Sequence, residues 1–172
     1  MSAAIVIGKL PVHGDFVARG VAGAERRELD AWLAASTAAA RDEFGDKFDD
    51  AFDNAPPWRF AWRDEQWTAG ALVPSIDSAG RRFPLLVALK QLADVQVGAA
   101  AGLCEAAASD AIAKCWSADE LLGAVAEPEL SAAAVHEGWW NEELGDARPR
   151  LNDRLPPDIL SHMLASVAGA AA

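Results

Sequence analysis

Residues Trp58 to Val73 read WRFAWRDEQWTAGALV, and their alternation decides what kind of sheet this chain can build. Trp58, Phe60 and Trp62 occupy every second position against Arg59, Ala61 and Arg63, so an extended chain carries its rings on one face. Asp64-Glu65-Gln66 separate this strand from a small, apolar one, Trp67 to Val73, which stops at Pro74. After Ser75-Ile76-Asp77-Ser78-Ala79-Gly80 comes the almost unbroken apolar run Phe83 to Leu89, as expected of a strand covered on both faces. Such short connections suit hairpins and cannot hold the crossovers that parallel strands need. Segments 57–63, 67–74 and 83–90 therefore predict an antiparallel meander.

Working outward, β-branched Ile5, Val6 and Ile7 predict a further strand at 3–8 that ends at Gly8. Over 24–44, Leu29, Trp32, Leu33, Ser36, Ala40 and Phe44 recur at three- and four-residue steps, an amphipathic helix with Gly45 as its C-cap. A shorter helix carries Phe48 and Phe52 one turn apart, and Pro56-Pro57 stop it. Beyond Ala93 the spacing predicts helices at 97–115 and 117–126, the second opened by a capping box of Ser117 and Glu120. Residues 127–155 hold no single pattern beyond Gly138-Trp139-Trp140, and Pro156-Pro157 open a last helix through Ile159, Leu160, Met163, Leu164 and Val167. Helices before and after one meander predict an α/β fold: a three-layer α-β-α sandwich with a mainly antiparallel sheet, formed by one domain over 1–172.

Charge narrows the function. With 26 acids against 15 bases the net charge is -11, which opposes binding to a phosphate backbone or an anionic lipid surface. No apolar run approaches the ~20 residues that cross a bilayer. The first strand has no basic flank, so no signal peptide is expected and the expected location is cytoplasmic. Cys104 and Cys115 fall in one predicted helix, where eleven residues separate them by roughly 16 Å, too far for a disulfide. Both are expected to be small buried hydrophobes.

Two stretches hold the candidate chemistry. GKLPVHGDF, Gly8 to Phe16, looks at first like a phosphate loop. A P-loop, however, needs its lysine and hydroxyl after the second glycine, and here Asp15 stands there and repels phosphate. The favoured reading is a tight turn in which Gly8 and Gly14 supply unusual backbone angles and Asp15 caps the next element. PSIDSAGRRFPL, Pro74 to Leu85, offers Ser75 and Asp77 as nucleophile and acid of a small hydrolase. No histidine lies nearby in sequence to act as base, and Asp-Ser-Ala-Gly is ordinary turn chemistry. His13, His136 and His162 have no metal-ligand spacing, although His13 and Asp15 could join a distant partner around a metal. Asp42, Glu43, Asp46, Asp49, Asp50 and Asp53 follow helix faces and not a calcium loop, so they predict a solvated acidic face. On a strand Trp139 and Trp140 point to opposite faces, so one can lie in the core while the other is either packed under the last helix, the favoured reading, or exposed as a docking point.

GKLPVHGDF, DAWL (Asp30 to Leu33), PPWRFAW, AGALVPSIDSAGRRFPL, the double tryptophan and the late LPP appear in one order. Together they resemble the TagF (ImpM) family of type VI secretion accessory proteins, over roughly residues 5 to 165. The resemblance implies a longin-like sandwich and a non-enzymatic cytoplasmic regulator, with no cofactor and no metal. That regulator represses secretion after translation by binding a component such as the forkhead-associated scaffold protein. It points to Gly8, Lys9, Pro11, Gly14, Asp15, Ser75, Asp77, Gly80, Arg81, Trp139 and Trp140 as partner-binding or structural motif residues. No phosphatase domain accompanies the motifs, which favours action by binding. Arg82 stands where the family often has an aromatic, and NEELGDARPRLNDRLPP lacks the strand that relatives often show. The two motif loops are expected to meet at one end of the sheet, with Asp15 or Asp77 paired to an arginine.

Overall fold

The computed structural model describes residues 2–125, 127–131, 135, 137–144 and 151–168. Among them six strands form one sheet: β1 (Ala3–Gly8), β2 (Val17–Arg19), β3 (Trp58–Arg63), β4 (Trp67–Val73), β5 (Leu85–Leu92) and β6 (Gly138–Trp140). Their order is β2-β1-β5-β4-β3-β6, and every neighbouring pair is antiparallel. The meander thus stands at the centre, with Phe60 opposite Gly70 and Gly70 opposite Ala88. All seven residues of β4 are buried, because helices cover both faces.

One face packs under α1 (Gly23–Phe44), α2 (Phe48–Asn54) and α5 (Ile159–Ala168), the other under α3 (Asp94–Ala113) and α4 (Ala118–Ala124). The strand period divides the core between them. Ile5, Ile7, Phe60, Leu72 and Leu86 meet Leu29, Leu33 and Leu160, while Val6, Ala71, Val87 and Leu89 meet the alanines of α3. Small side chains on α3 let that helix lie close to the sheet; Ala100, Ala108 and Ala111 are fully enclosed. This is the three-layer sandwich that the element order predicts.

Several boundaries differ from the sequence reading. The strand expected from Phe83 starts at Leu85 and runs on to Leu92, because the Phe83 amide turns back to donate to the Ser75 carbonyl at 3.1 Å. The helix expected at 97–115 starts at Asp94, where the Gln96 side chain accepts from the Ala93 amide at 2.9 Å. It ends at Ala113, since Cys115 adopts a left-handed backbone (φ 54°). Cys115 is consequently exposed and only Cys104 is buried, which corrects the expectation of two buried cysteines. Burial pushes the Cys104 thiol up to about 12, against a weak opposing hydrogen bond. A thiol reagent at neutral pH should accordingly titrate one cysteine in the folded protein and two after unfolding. Two fast-reacting thiols in the native state would contradict this packing.

Two strands are new. β2 pairs with β1 through Gly8 and Val17, so GKLPVHGDF is the loop of a hairpin and not the entry to a helix. Asp15 is exposed and, among the described residues, caps no element, contrary to the expected role. β6 adds Trp139 and Trp140 to the edge beside β3. Past it, Leu151 forms a single bridge with Trp139, and the described residues 141–144 and 151–157 contain no strand.

Candidate functional site

The two motif loops meet at one end of the sheet. β1 stops at Gly8, whose φ is +133° and where a Cβ would lie 2.2 Å from the Pro84 carbonyl oxygen. Only glycine permits this close approach, which brings the β1–β2 loop against the segment leading into β5. Leu10 to His13 then turn tightly, with Pro11 at the second position and the His13 amide donating to the Leu10 carbonyl at 3.0 Å. From the other loop, the Ser78 amide donates to the His13 carbonyl at 2.8 Å, and Arg81 Nη2 donates to the Gly14 carbonyl at 2.8 Å.

Asp77 is the centre of this junction. Its side chain is fully enclosed, and its oxygens accept from the Ala79 and Arg81 amides, Arg81 Nε (2.7 Å) and Lys9 Nζ (2.9 Å). Gly80, at φ +77°, lets the loop fold back so that both amides reach one carboxylate. Loss of hydration pushes the Asp77 carboxyl upward. The hydrogen bonds from Lys9, Arg81 and Ala79 outweigh that and hold it well below the usual carboxylate range. Asp15, the other candidate acid, forms no ion pair among the described residues.

Ser75 is buried, and its Oγ faces the Ile76 carbonyl at 3.4 Å. Among the described residues no histidine hydrogen-bonds to it. His13 Nε2 instead accepts from the Ala118 amide at 3.1 Å, tying the first loop to the start of α4. His162 pairs with Asp158 on α5, and His136 lies outside the described residues. No group of three metal-ligating side chains occurs among the described residues.

The tryptophan pair divides in part as expected. Trp139 is fully buried, with Nε1 donating to the Arg154 carbonyl at 3.0 Å. Trp140 is half-buried against the α3 face, its Nε1 donating to Glu142 Oε1 at 2.9 Å, so it is neither packed under the last helix nor a fully exposed indole.

Arg82, the departure from the family pattern, forms a two-pronged bridge to Asp53 (2.6 and 2.7 Å) and reaches Asp49 at 3.2 Å. The Asp53 carboxyl is lowered by the hydrogen bond from Arg82. The second motif is thereby pinned to α2, beside a cleft of about 430 Å³ lined by Phe52, Asp53, Pro74, Ser75, Ile76 and Arg82 among others. Lys9 stood among the bases near the motif acids in sequence, but the pairing was expected from an arginine alone, and this contribution of α2 was not visible in the sequence. The one trace was the helical spacing of Asp49 and Asp53, which on its own suggests a solvated face.

The family model of the TagF N-terminal domain, described as type VI secretion system-associated, matches residues 6–137. No curated protein matches the chain. The crystal structure of PA0076 from Pseudomonas aeruginosa PAO1 is similar, with a TM-score of 0.62 and 27% identity over 93% of this chain and 77% of that one.

Proposed function

The chain belongs to the TagF N-terminal domain family of type VI secretion-associated proteins, and from that premise we propose a non-enzymatic regulator that docks on another secretion component and represses the apparatus after translation. Its partner in this reading is the forkhead-associated scaffold protein, its place is the cytoplasm, and residues 1–172 act as one TagF-like domain. One observation supports docking most directly. The motif groups suited to chemistry are consumed by the junction, since Asp77 is saturated by Lys9, Arg81 and two amides while the loop rims remain exposed. A hydrolase built on Ser75 and Asp77 would need a base beside Ser75, and the loop offers it only the Ile76 carbonyl. Among the described residues no helix is long and apolar enough to cross a membrane.

A secretion assay with the chain overproduced tests this. The wild type and Ser75→Ala should both repress, with matching melting curves. Trp140→Ala should weaken binding to the purified scaffold protein, since a docked indole commonly contributes ~2 kcal/mol or more, roughly thirtyfold in affinity. Loss of repression in Ser75→Ala at an unchanged melting temperature and with unchanged binding to the scaffold protein would overturn the proposal in favour of chemistry.

A further inference from the structure

The cleft between α2 and the second motif loop has a definite chemistry. Its walls are apolar, formed by Phe52, Pro74, Ile76 and Ile112, and it opens to solvent, so it suits an anchoring side chain better than a wholly enclosed small molecule. Ile76 is 37% exposed at its mouth, although the residues beside it in the loop, Ser75 and Asp77, are buried. An exposed branched side chain beside an apolar hollow leaves surface that a partner can cover.

The sign of the partner follows from the rim. Arg82, the cation lining the cleft, is already neutralised by Asp53 and Asp49. An incoming carboxylate would have to displace Asp53 or Asp49 from Arg82, and the exposed Asp46 and Asp50 follow these two at three- and four-residue steps along the turn and α2, so they share its side. The nearby bases do not balance these acids. Arg41 is held over the Phe48 ring at 4.3 Å and on the Arg82 carbonyl at 3.2 Å, Arg81 is held by Asp77 at 2.7 Å and by the Gly14 carbonyl at 2.8 Å, and Lys47 stands on the turn before α2. With the chain at -11 overall, the local and the global field agree.

We propose that this cleft docks a cationic segment of a partner protein, in which an apolar side chain seated between Phe52 and Ile76 is flanked by lysines or arginines facing Asp53, Asp49 and Asp50. The inference rests on the docking function above and specifies where the partner sits and what it carries.

The test uses the purified full chain and fluorescein-labelled short peptides: one with a Leu-Phe pair flanked by lysines, and its twin with glutamates replacing the lysines. By fluorescence anisotropy the lysine peptide should bind, more weakly as salt rises, and the glutamate twin should not. Ile76→Asp should lower affinity ~10-fold or more. The pair Asp46→Lys with Asp50→Lys, both exposed, should lower it several-fold and flatten the salt dependence. Melting curves establish that each variant folds, and Ile76→Ser replaces Ile76→Asp if that one does not. No binding of the lysine peptide, equal binding of the twin, or unchanged binding by the folded Ile76 variant each overturns the cleft assignment.

In the secretion assay, release of repression by the Ile76 variant supports the assignment. Full repression by wild type and variants alike overturns the cleft and leaves the regulator standing. Failure of the wild type to repress overturns the regulator, and the peptide titration then decides the cleft alone.

Discussion

Trp139→Ala is expected to lower the unfolding free energy by about 3–5 kcal/mol and the melting temperature by roughly 10 °C. The indole is fully buried, 4.6 Å from the Phe60 ring and 5.6 Å from the Trp32 ring. Alanine would leave a void between β6, β3 and α1, in a core that cannot collapse without moving the sheet. Two carbonyls are coupled to this packing, since Trp139 Nε1 holds Arg154 and its backbone amide holds Leu151 at 2.7 Å. The segment after β6 is therefore anchored by the same residue, and next to it Trp32 Nε1 donates to the Pro156 carbonyl at 2.7 Å. Trp140→Ala removes a half-buried ring on the opposite face and should move the transition far less. Calorimetry on both variants checks the division. Equal melting temperatures for the two would mean that the pair is not split between core and surface.

The contrast shows what the sequence could carry. The meander was legible because alternating rings over Trp58 to Trp62 impose a period of two within one short stretch. The α1 stripe and the Ser117–Glu120 capping box were legible for the same reason: their partners lie within a turn or two. β2 and β6 are three residues each, too short to display a period, and exist through pairing with β1 and β3. The sequence could not tell which motif acid is buried, since Asp15 and Asp77 both sit among turn residues. Asp77 is distinguished by Lys9, 68 positions away, and by the loop–loop contact that Gly8 permits. That the two loops meet and that an arginine pairs with one acid was foreseeable from charge alone. The cleft was not, because its apolar wall joins Phe52 of α2 to Pro74 and Ile76 of the second motif and Ile112 of α3, which are distant in sequence.

Neutralising Asp77 is the other change with a large expected effect. Asparagine keeps the shape of the carboxylate and one acceptor oxygen, but it turns an N–H donor toward the cations. Lys9 and Arg81 then face a donor, and Lys9 is only 16% exposed, so water replaces the lost pairing poorly. The melting temperature of Asp77→Asn at pH 7 should fall several times further than that of Asp119→Asn, whose carboxylate pairs with Arg19 at the surface. The pH dependence gives an independent check. Desolvation raises the Asp77 carboxyl and the four donors lower it, leaving it below the unfolded value of about 3.9. A depressed folded value means that the stabilisation is fully present above pH ~4–5 and is lost as pH falls below ~4 toward the folded value. The gap between wild type and Asp77→Asn should hence stay level from neutral pH down to about 5 and narrow at pH 3, since only the wild type has that proton to take up. Melting curves at those three pH values measure it. A gap that widens on acidification, or no gap at pH 7, would show that Asp77 is not the clamp between the loops. If the gap narrows as expected, loss of repression in Asp77→Asn reports a broken scaffold, whereas loss in Ile76→Asp with an intact melting curve reports a lost contact.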